Sequence, residues 1–388
     1  MSVPQGDLAS AVPASSAVPA LSTALIIGTG LIGTSLALAL RQRGITVYLH
    51  DRDPDALAAA VARGAGVADS AVTGVDVVVV ATPPRVTPDT VASALRDHGD
   101  AIVIDVSSVK SQMASDGGGT RDVSRFVGSH PLAGREVSGP EAAQADLFLD
   151  RIWVLTPTPA TSARALATAR ELVRLTGAVA IELDPAAHDR AVALTSHAPQ
   201  VVASVMAARL LNARDEDVAL SGQGLRDVCR VAGSDSQMWE EILQANAGHV
   251  ADVLTGVQAD LEAVIAGLRQ SEPADAGGVR EVLERGRRGH ARIPGKHGAR
   301  TAAFAVVRVV VADEPGALGG LFVAAGSAGI NLEDVRIEHA FGRPTGLVEL
   351  SVAADHVEAL SRALAQHGHV LSGSNEALIS AEELGGSQ

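Results

Sequence analysis

Cysteine is almost missing from this chain. Cys229 is the only one in 388 residues, so no disulfide can form within it. That fits a reducing compartment, and a cytoplasmic location is expected. Aromatic residues make up 2% of the chain while apolar residues reach 47%. The core must therefore be built from Ala, Val, Leu and Ile. Basic residues are outnumbered 45 to 31, for a formal charge of −14. Such a field opposes nucleic acid and anionic membranes, and neither is expected as a partner. An anionic substrate would need a local basic cluster. Charge is absent altogether between positions 9 and 40. A basic region before that run is absent too, and Pro13, Pro19 and three glycines interrupt it. Neither an export signal nor a membrane span is expected there. No H-E-x-x-H and no cysteine pair occurs, so no metal site is expected.

What is present begins with a glycine loop. Ala24 to Ile27 reads as a buried strand, and Ser35 to Arg41 as a helix. Between them Gly28, Gly30 and Gly33 fall at the G-x-G-x-x-G spacing, with Leu31 and Ile32 opening the helix. Gly28 allows the tight turn, Gly30 lets a pyrophosphate approach the backbone, and Gly33 lets helix and strand pack closely. The helix N-terminus offers free N–H groups to phosphates. A second strand, Thr46 to His50, ends in Asp51. An acid about 20 residues past the glycines suits a ribose 2′-hydroxyl, which favours NAD. Arg52 is adjacent and could tolerate a 2′-phosphate. Thr82 follows the apolar strand Val75–Val80, in a loop at a strand's carboxyl end where ligands sit in such folds.

Strands and helices alternate from there. The expected elements are a helix over Pro88–Leu95, strands at Ala101–Asp105, Arg125–His130 and Trp153–Thr156, a helix over Ala163–Leu175 and a strand at Ala178–Glu182. This is the pattern of one doubly wound, Rossmann-type α/β domain, residues 21–184. Residues 1–20, rich in Ala, Ser and Pro, read as a disordered leader. At Asp184–Pro185 the texture turns helical and stays so to 285, with one long helix expected over His188–Leu211. Helices apolar beyond one face often pair between subunits, so an all-α dimerisation domain and a homodimer are expected. Residues 286–302 are basic and Gly-rich and read as a linker. Residues 303–373 form a small βαββαβ unit, and 374–388 a polar tail.

Three groups of residues could carry chemistry. Ser107 and Ser108 lie just past one predicted strand end and His130 at another, so both can face the crevice. A neutral histidine there could accept the proton of a substrate alcohol as hydride leaves its carbon. An ordinary loop serine and a satisfied loop histidine would look the same. Arg226 and Arg230 are four apart, hence on one helical face. They read either as an anion-binding face or, with Asp227 between them, as a solvated stripe. The third group lies on the helix of His188 and Thr195-Ser-His197-Ala-Pro199-Gln200, where Pro199 should kink the helix and expose backbone. Trp239 is one of two tryptophans.

Several motifs now stand in one order: Gly28-x-Gly30-x-x-Gly33, Asp105-x-Ser-Ser108-Val-Lys110, His130-Pro-Leu-Ala-Gly134-x-Glu136, Ser196-His197-x-Pro199 and Arg226-x-x-x-Arg230 through Asp235 to Trp239. Together they resemble prephenate dehydrogenases over residues 21–270. The resemblance implies NAD-dependent oxidative decarboxylation of a cyclohexadienol on the route to tyrosine. It gives His130 the role of base, Ser108 that of orienting it, and Arg230 that of holding a substrate carboxylate. It makes Glu136 a gating acid and Arg226 a second cation reaching a neighbouring subunit's site. His188, His197 and Trp239 would line the pocket. Family members that accept prephenate often carry histidine where this chain has Gln200. Glutamine both donates and accepts, so prephenate and arogenate both remain open as substrates. Asp313-Glu-Pro-Gly316-x-Leu and Gly329-Ile-Asn331 resemble an ACT domain, a ferredoxin-like module. That implies a small amino-acid effector near Asp313, Gly316 and Asn331. Two other activities compete. A β-hydroxyacid dehydrogenase would want a lysine on the helical part, and none lies between 185 and 295. A non-catalytic sensor of NAD and amino acids would use the same modules.

Overall fold

The computed structural model describes residues 21–111, 123–135, 137–270, 277–293, 304–339 and 344–372. The expected leader and tail lie outside the described residues. The chain divides into two compact units, Met1–Gly256 and Val257–Gln388.

The first unit grows from four consecutive valines. Val77–Val80 form β4, and every one of them is fully buried. A strand buried on both faces needs helices on both sides, and the chain supplies them. In order come β1 (Thr23–Ile27), α1 (Leu31–Gln42), β2 (Thr46–His50), α2 (Pro54–Ala62), β3 (Val67–Ala68), then β4, α3 (Thr87–Asp97), β5 (Ile102–Asp105), β6 (Phe126–Pro131), β7 (Ile152–Thr156), α4 (Ala163–Leu175) and β8 (Val179–Glu182). The sheet runs β3-β2-β1-β4-β5-β6-β7-β8. The chain winds outward from β1 to β3, then crosses back to place β4 on the other side of β1. That reversal puts a crevice at the carboxyl ends of β1 and β4.

Two features of the sheet were not expected from the sequence. β7 runs antiparallel to β6, with His130 opposite Val154. The strand direction thus reverses beside His130 and Trp153. The two-residue edge strand β3 has no apolar pattern of its own and had no sequence signal. Helix starts follow local chemistry. Asp53 accepts from the backbone N–H of Asp55 at 2.9 Å, and Asp184 from that of Ala186 at 2.9 Å. Pro54 and Pro185 follow them at positions that need no N–H.

The expected long helix over His188–Leu211 is broken. It forms α5 (Pro185–Val192), a π turn (Ala193–His197) and α6 (Ala198–Ala208). Pro199 lacks an N–H, and its ring would strike the carbonyl of Thr195 in a regular helix. The wider turn relieves that clash. By length and composition Pro185–Asn212 could cross a membrane, with mean hydropathy 1.3. Its buried positions, however, include His188, Asp189, His197 and Gln200. These polar groups face the interior of the unit. Beyond it lie α7 (Asp215–Val218), α8 (Gln223–Cys229), α9 (Ser236–Ala245) and α10 (Ala247–Arg269), which runs through the division at Gly256. Leu211 and Leu220 are each 85% exposed.

The second unit continues with α11 (Gly277–His290). This corrects the expected linker, because Arg287 is helical and pairs with Glu284 at 2.6 Å. Residues 294–302 of that segment lie outside the described residues. Then come β9 (Phe304–Ala312), α12 (Ala317–Ser327), β10 (Asp334–His339), β11 (Thr345–Ala353), α13 (Val357–Gln366) and β12 (Val370–Leu371). The sheet order is β10-β11-β9-β12, antiparallel throughout. This is the ferredoxin-like βαββαβ topology that the sequence predicts. In β11 burial alternates residue by residue, so one face meets the helices and the other does not. Gly316 heads α12 in the left-handed region, φ +90°.

Candidate active site

The crevice at the switch point opens into a cavity of about 1170 Å³. Its wall includes Gly28, Gly30, Leu31, Ile32, Asp51, Arg52, Thr82, Ser108 and His130. Gly28 has φ +103°, and a Cβ there would lie 2.4 Å from the carbonyl oxygen of Ala81. A Cβ on Gly33 would lie 1.9 Å from the carbonyl oxygen of Gly28. Around Gly30 a Cβ would meet nothing within 4 Å, which leaves room for a ligand. Two glycines thus serve packing and one serves access. The first turn of α1 carries no acidic residue and no side-chain cap, so its N–H groups remain for an anion. Asp51 Oδ2 accepts from the Thr29 backbone N–H at 2.5 Å and from its hydroxyl at 2.9 Å. The acid at the end of β2 is thereby tied to the glycine loop. A dinucleotide fits here: room at Gly30 and a helix N-terminus for the phosphates, and a fixed carboxylate for the ribose.

A Gly33→Ala substitution tests this seat. Its Cβ must displace the Gly28 backbone and would lie 3.1 Å from the Ala81 Cβ; overpacking of that kind costs about 1–3 kcal/mol. Dinucleotide affinity by titration calorimetry is expected to fall about tenfold, with overall folding kept. Unchanged affinity would mean that the loop carries no phosphate.

His130, the penultimate residue of β6, is on the cavity wall and partly buried. Its Nδ1 lies 2.9 Å from Nε2 of His188. His188 is fully buried, and its Nδ1 lies 2.8 Å from Asp189 Oδ1. That carboxylate also accepts the backbone N–H of Lys110 at 2.8 Å and of Ser111 at 2.7 Å. Burial works to raise the Asp189 pKa, but the bonds from His188 and the two amides outweigh it and hold the acid at about 2. Burial, with His188, Lys110 and His197 nearby, pushes His130 well below 6.5. His130 is therefore neutral at physiological pH. Ser108 shares the cavity wall, with no hydrogen bond joining it to His130.

Beneath the wall lies a buried ion pair. Lys110 Nζ donates to Asp105 Oδ2, to the carbonyl of Ser129 at 2.7 Å and to the Ser107 hydroxyl at 3.1 Å. Asp105 also accepts the Ser107 hydroxyl at 2.6 Å. This knot joins the ends of β5 and β6.

The remaining sequence candidates stand elsewhere. His188 does not line the cavity; it stands behind His130. His197 is buried, with Nδ1 3.1 Å from Asn246 Nδ2 and its ring edge-on to Trp239 at 6.0 Å. Gln200 is buried and donates to the carbonyl of Val231 at 3.0 Å. None of His197, Gln200 and Trp239 is on the cavity wall. Arg226 is exposed on α8, and Arg230 opens a short 3₁₀ turn whose successors, Ser234 and Asp235, do line the cavity. Glu136 lies outside the described residues. In the second unit, Asn331 donates to Glu333 at 2.7 Å and the Asp313 amide to the Pro344 carbonyl at 3.0 Å. Among the described residues no group of His, Cys, Asp and Glu could hold a metal ion. Asp189, Lys110 and Ser129 carry no role in the reading of the sequence. A His-Asp pair just inside a capped helix, and a lone lysine in the serine-rich loop after β5, were the available signals.

The two depressed imidazoles set an acid limit on stability. Burial holds His197 at about 4, against 6.5 for a free imidazole. Below about 6.5 the unfolded chain then binds more protons than the folded one, so stability falls with pH. Melting temperature is expected to drop as pH goes from about 6.5 towards about 4, the value to which His197 is held. A flat profile across that window would contradict the burial of these rings.

A family sequence profile described as "Prephenate dehydrogenase, nucleotide-binding domain" matches residues 36–182. A second, "Prephenate dehydrogenase, dimerization domain", matches 184–283. The Streptomyces niveus protein named "Probable prephenate dehydrogenase NovF" is 39% identical over 350 residues, 88% of this chain and 96% of that protein. The crystal structure of prephenate dehydrogenase from A. aeolicus, with hydroxyphenyl propionate and NAD+, aligns with a TM-score of 0.61 at 26% identity. That alignment covers 70% of this chain and 99% of the other. Synechocystis arogenate dehydrogenase aligns with a TM-score of 0.56 at 26% identity, covering 69% and 99%. Two adjoining profiles that span 36–283 and a relative 39% identical over nearly its whole length identify the family: this chain belongs to the prephenate dehydrogenases.

Proposed function

We propose that the chain is a cytoplasmic NAD-dependent dehydrogenase that converts prephenate to 4-hydroxyphenylpyruvate with loss of carbon dioxide. The observation that carries this is a neutral His130 on the wall of the cleft that starts at the glycine loop. Bound NAD supplies the hydride acceptor, held by Gly28, Gly30, the start of α1 and Asp51. His130 takes the proton of the ring hydroxyl at Nε2. Ser108, on the same wall, orients that hydroxyl. Loss of carbon dioxide leaves an aromatic ring, so positioning, one base and a charge clamp suffice. The clamp assigned to the carboxylates is Arg230, with Arg226 reaching the site of a second copy. The exposed Leu211 and Leu220 support a homodimer through the helical part. The C-terminal unit is assigned as an ACT domain taking tyrosine or a related amino acid near Asp313, Gly316 and Asn331. Its βαββαβ topology and the left-handed turn at Gly316 support that assignment.

Initial rates with prephenate and arogenate, each with NAD+ and NADP+ and with or without tyrosine, test all of this together. The highest kcat/KM is expected for prephenate with NAD+, reduced by tyrosine. A higher value for arogenate would move the substrate assignment, and indifference to tyrosine would remove the effector. No turnover with either substrate would overturn the function.

A further inference from the structure

Among the described residues His130 has one hydrogen-bonding partner, His188, met through Nδ1; the residue lines the cavity, and Nε2 is left without a protein partner. Which nitrogen carries the proton decides whether this ring can act as a base at all. A neutral imidazole has one donor nitrogen and one acceptor. An ionised carboxylate only accepts. Asp189 already accepts two backbone N–H groups, from Lys110 and Ser111, which hold it ionised. The 2.8 Å contact therefore needs a proton on His188 Nδ1. With His188 uncharged, its Nε2 keeps a lone pair. The 2.9 Å contact in turn needs the proton of His130 on its Nδ1. His130 Nε2 is left unprotonated and without a protein partner. Each bond sets the next, and for neutral rings one arrangement satisfies the whole chain.

We infer that His188 and Asp189 form a buried relay that fixes the tautomer of His130 and receives the proton that His130 takes up. This rests on His130 as the base of the proposed reaction. The step balances as follows. The substrate O–H bond breaks and an N–H bond forms at His130 Nε2. The N–H bond at His130 Nδ1 breaks and one forms at His188 Nε2. The positive charge comes to rest on His188, beside the Asp189 carboxylate. After product leaves, the chain reverses and His130 Nε2 gives its proton to water in the cavity. The charged groups around His130 favour that endpoint. His188 and Asp189 face it from α5, Lys110 from the loop after β5, and His197 from the π turn. Lys110 and His197 disfavour a charge on His130 itself, while Asp189 attracts one towards His188. His188 and Asp189 touch neither cavity nor ligand, so both are positioning residues.

The test uses the full-length protein with prephenate and NAD+. Asp189→Asn presents an amide to His188, which can then carry its proton on Nε2 and force His130 into the unproductive tautomer. By analogy with the same exchange in serine proteases, kcat should fall at least about 100-fold. KM and the NAD+ dissociation constant should stay within about twofold. His188→Phe keeps a ring in the buried space, leaves Asp189 its two amides, and should lower kcat comparably. Long-range ¹H–¹⁵N spectra of histidine-labelled protein should show His130 with its proton on Nδ1 in the wild type and on Nε2 in Asp189→Asn. Wild-type kcat in both variants would overturn the relay, as would an Nε2–H His130 in the wild type. Equal losses in kcat and in NAD+ affinity would reduce these residues to structural supports and also overturn it. Inactive His130→Asn with fully active Asp189→Asn and His188→Phe would sink the relay alone. Fully active His130→Asn would sink the base and the relay together.

Discussion

Replacing His130 by asparagine should lower kcat by about 10²–10⁴-fold, the usual contribution of one general base. Asparagine keeps a polar side chain at the end of β6 but has no group that takes a proton at neutral pH. NAD+ affinity should hardly change. The glycine loop, the start of α1 and Asp51 are built from β1, β2 and β4, and His130 belongs to β6. The neutral state of the ring matters to the size of the effect. With its pKa pushed well below 6.5, His130 is ready as a base at any pH above the usual imidazole range. The rate on the acid side should therefore hold up below pH 6.5 in the wild type, unlike that of an exposed histidine. A steady-state assay of the variant against prephenate, paired with a calorimetric NAD+ titration, separates enzyme from sensor. A sensor would keep binding and have no turnover to lose. Wild-type turnover in His130→Asn would remove the base assignment.

The sequence made the dinucleotide cleft legible because its signals are local. Gly28, Gly30 and Gly33 fall within six residues, and Asp51 follows at the end of the next strand. Backbone geometry then forces the outcome, since no Cβ fits at Gly28 or Gly33. The C-terminal unit was legible for a similar reason: strict alternation in β11 and a glycine turn before α12. The catalytic wall was only half legible. His130 and Ser108 could be placed at strand ends, hence near the crevice. The partner of His130 could not, because His188 is 58 residues away and reaches it only through the packing of α5. A histidine read as pocket lining proved to be buried support. The π turn shows the same limit. Pro199 announced a break in the helix, but a kink and a widened turn satisfy the same missing N–H. The antiparallel β7 was hidden because an apolar run fits a buried strand of either direction.

Removing the Lys110 ammonium should be the most destabilising single change in the catalytic half. Lys110 and Asp105 are both buried, at 1% and 0% side-chain exposure. Taking one partner from such a pair strands the other charge, at about 3–5 kcal/mol. Lys110→Met keeps the length and fills the space, so the loss would report charge and hydrogen bonds without a cavity. For a unit of this size each kcal/mol lowers Tm by about 2–4 °C, which gives a fall of roughly 10 °C. Adding Asp105→Leu would remove the stranded carboxylate but also the acceptor for the Ser107 hydroxyl and backbone N–H. Recovery in the double variant should therefore be partial. Catalysis should respond less than stability. The bond from residue 110 to Asp189 comes from its backbone N–H, which Met retains. The ammonium also opposes a proton on His130, so its loss should raise the pKa of that ring towards 6.5 and make the rate fall sooner as pH drops. Thermal melts and pH–rate profiles of the same variant thus read two separate roles of one residue. The side chain ties β5 to β6, and the main chain steadies the acid behind the base. A variant with unchanged Tm would mean that the pair does not hold the strand ends together.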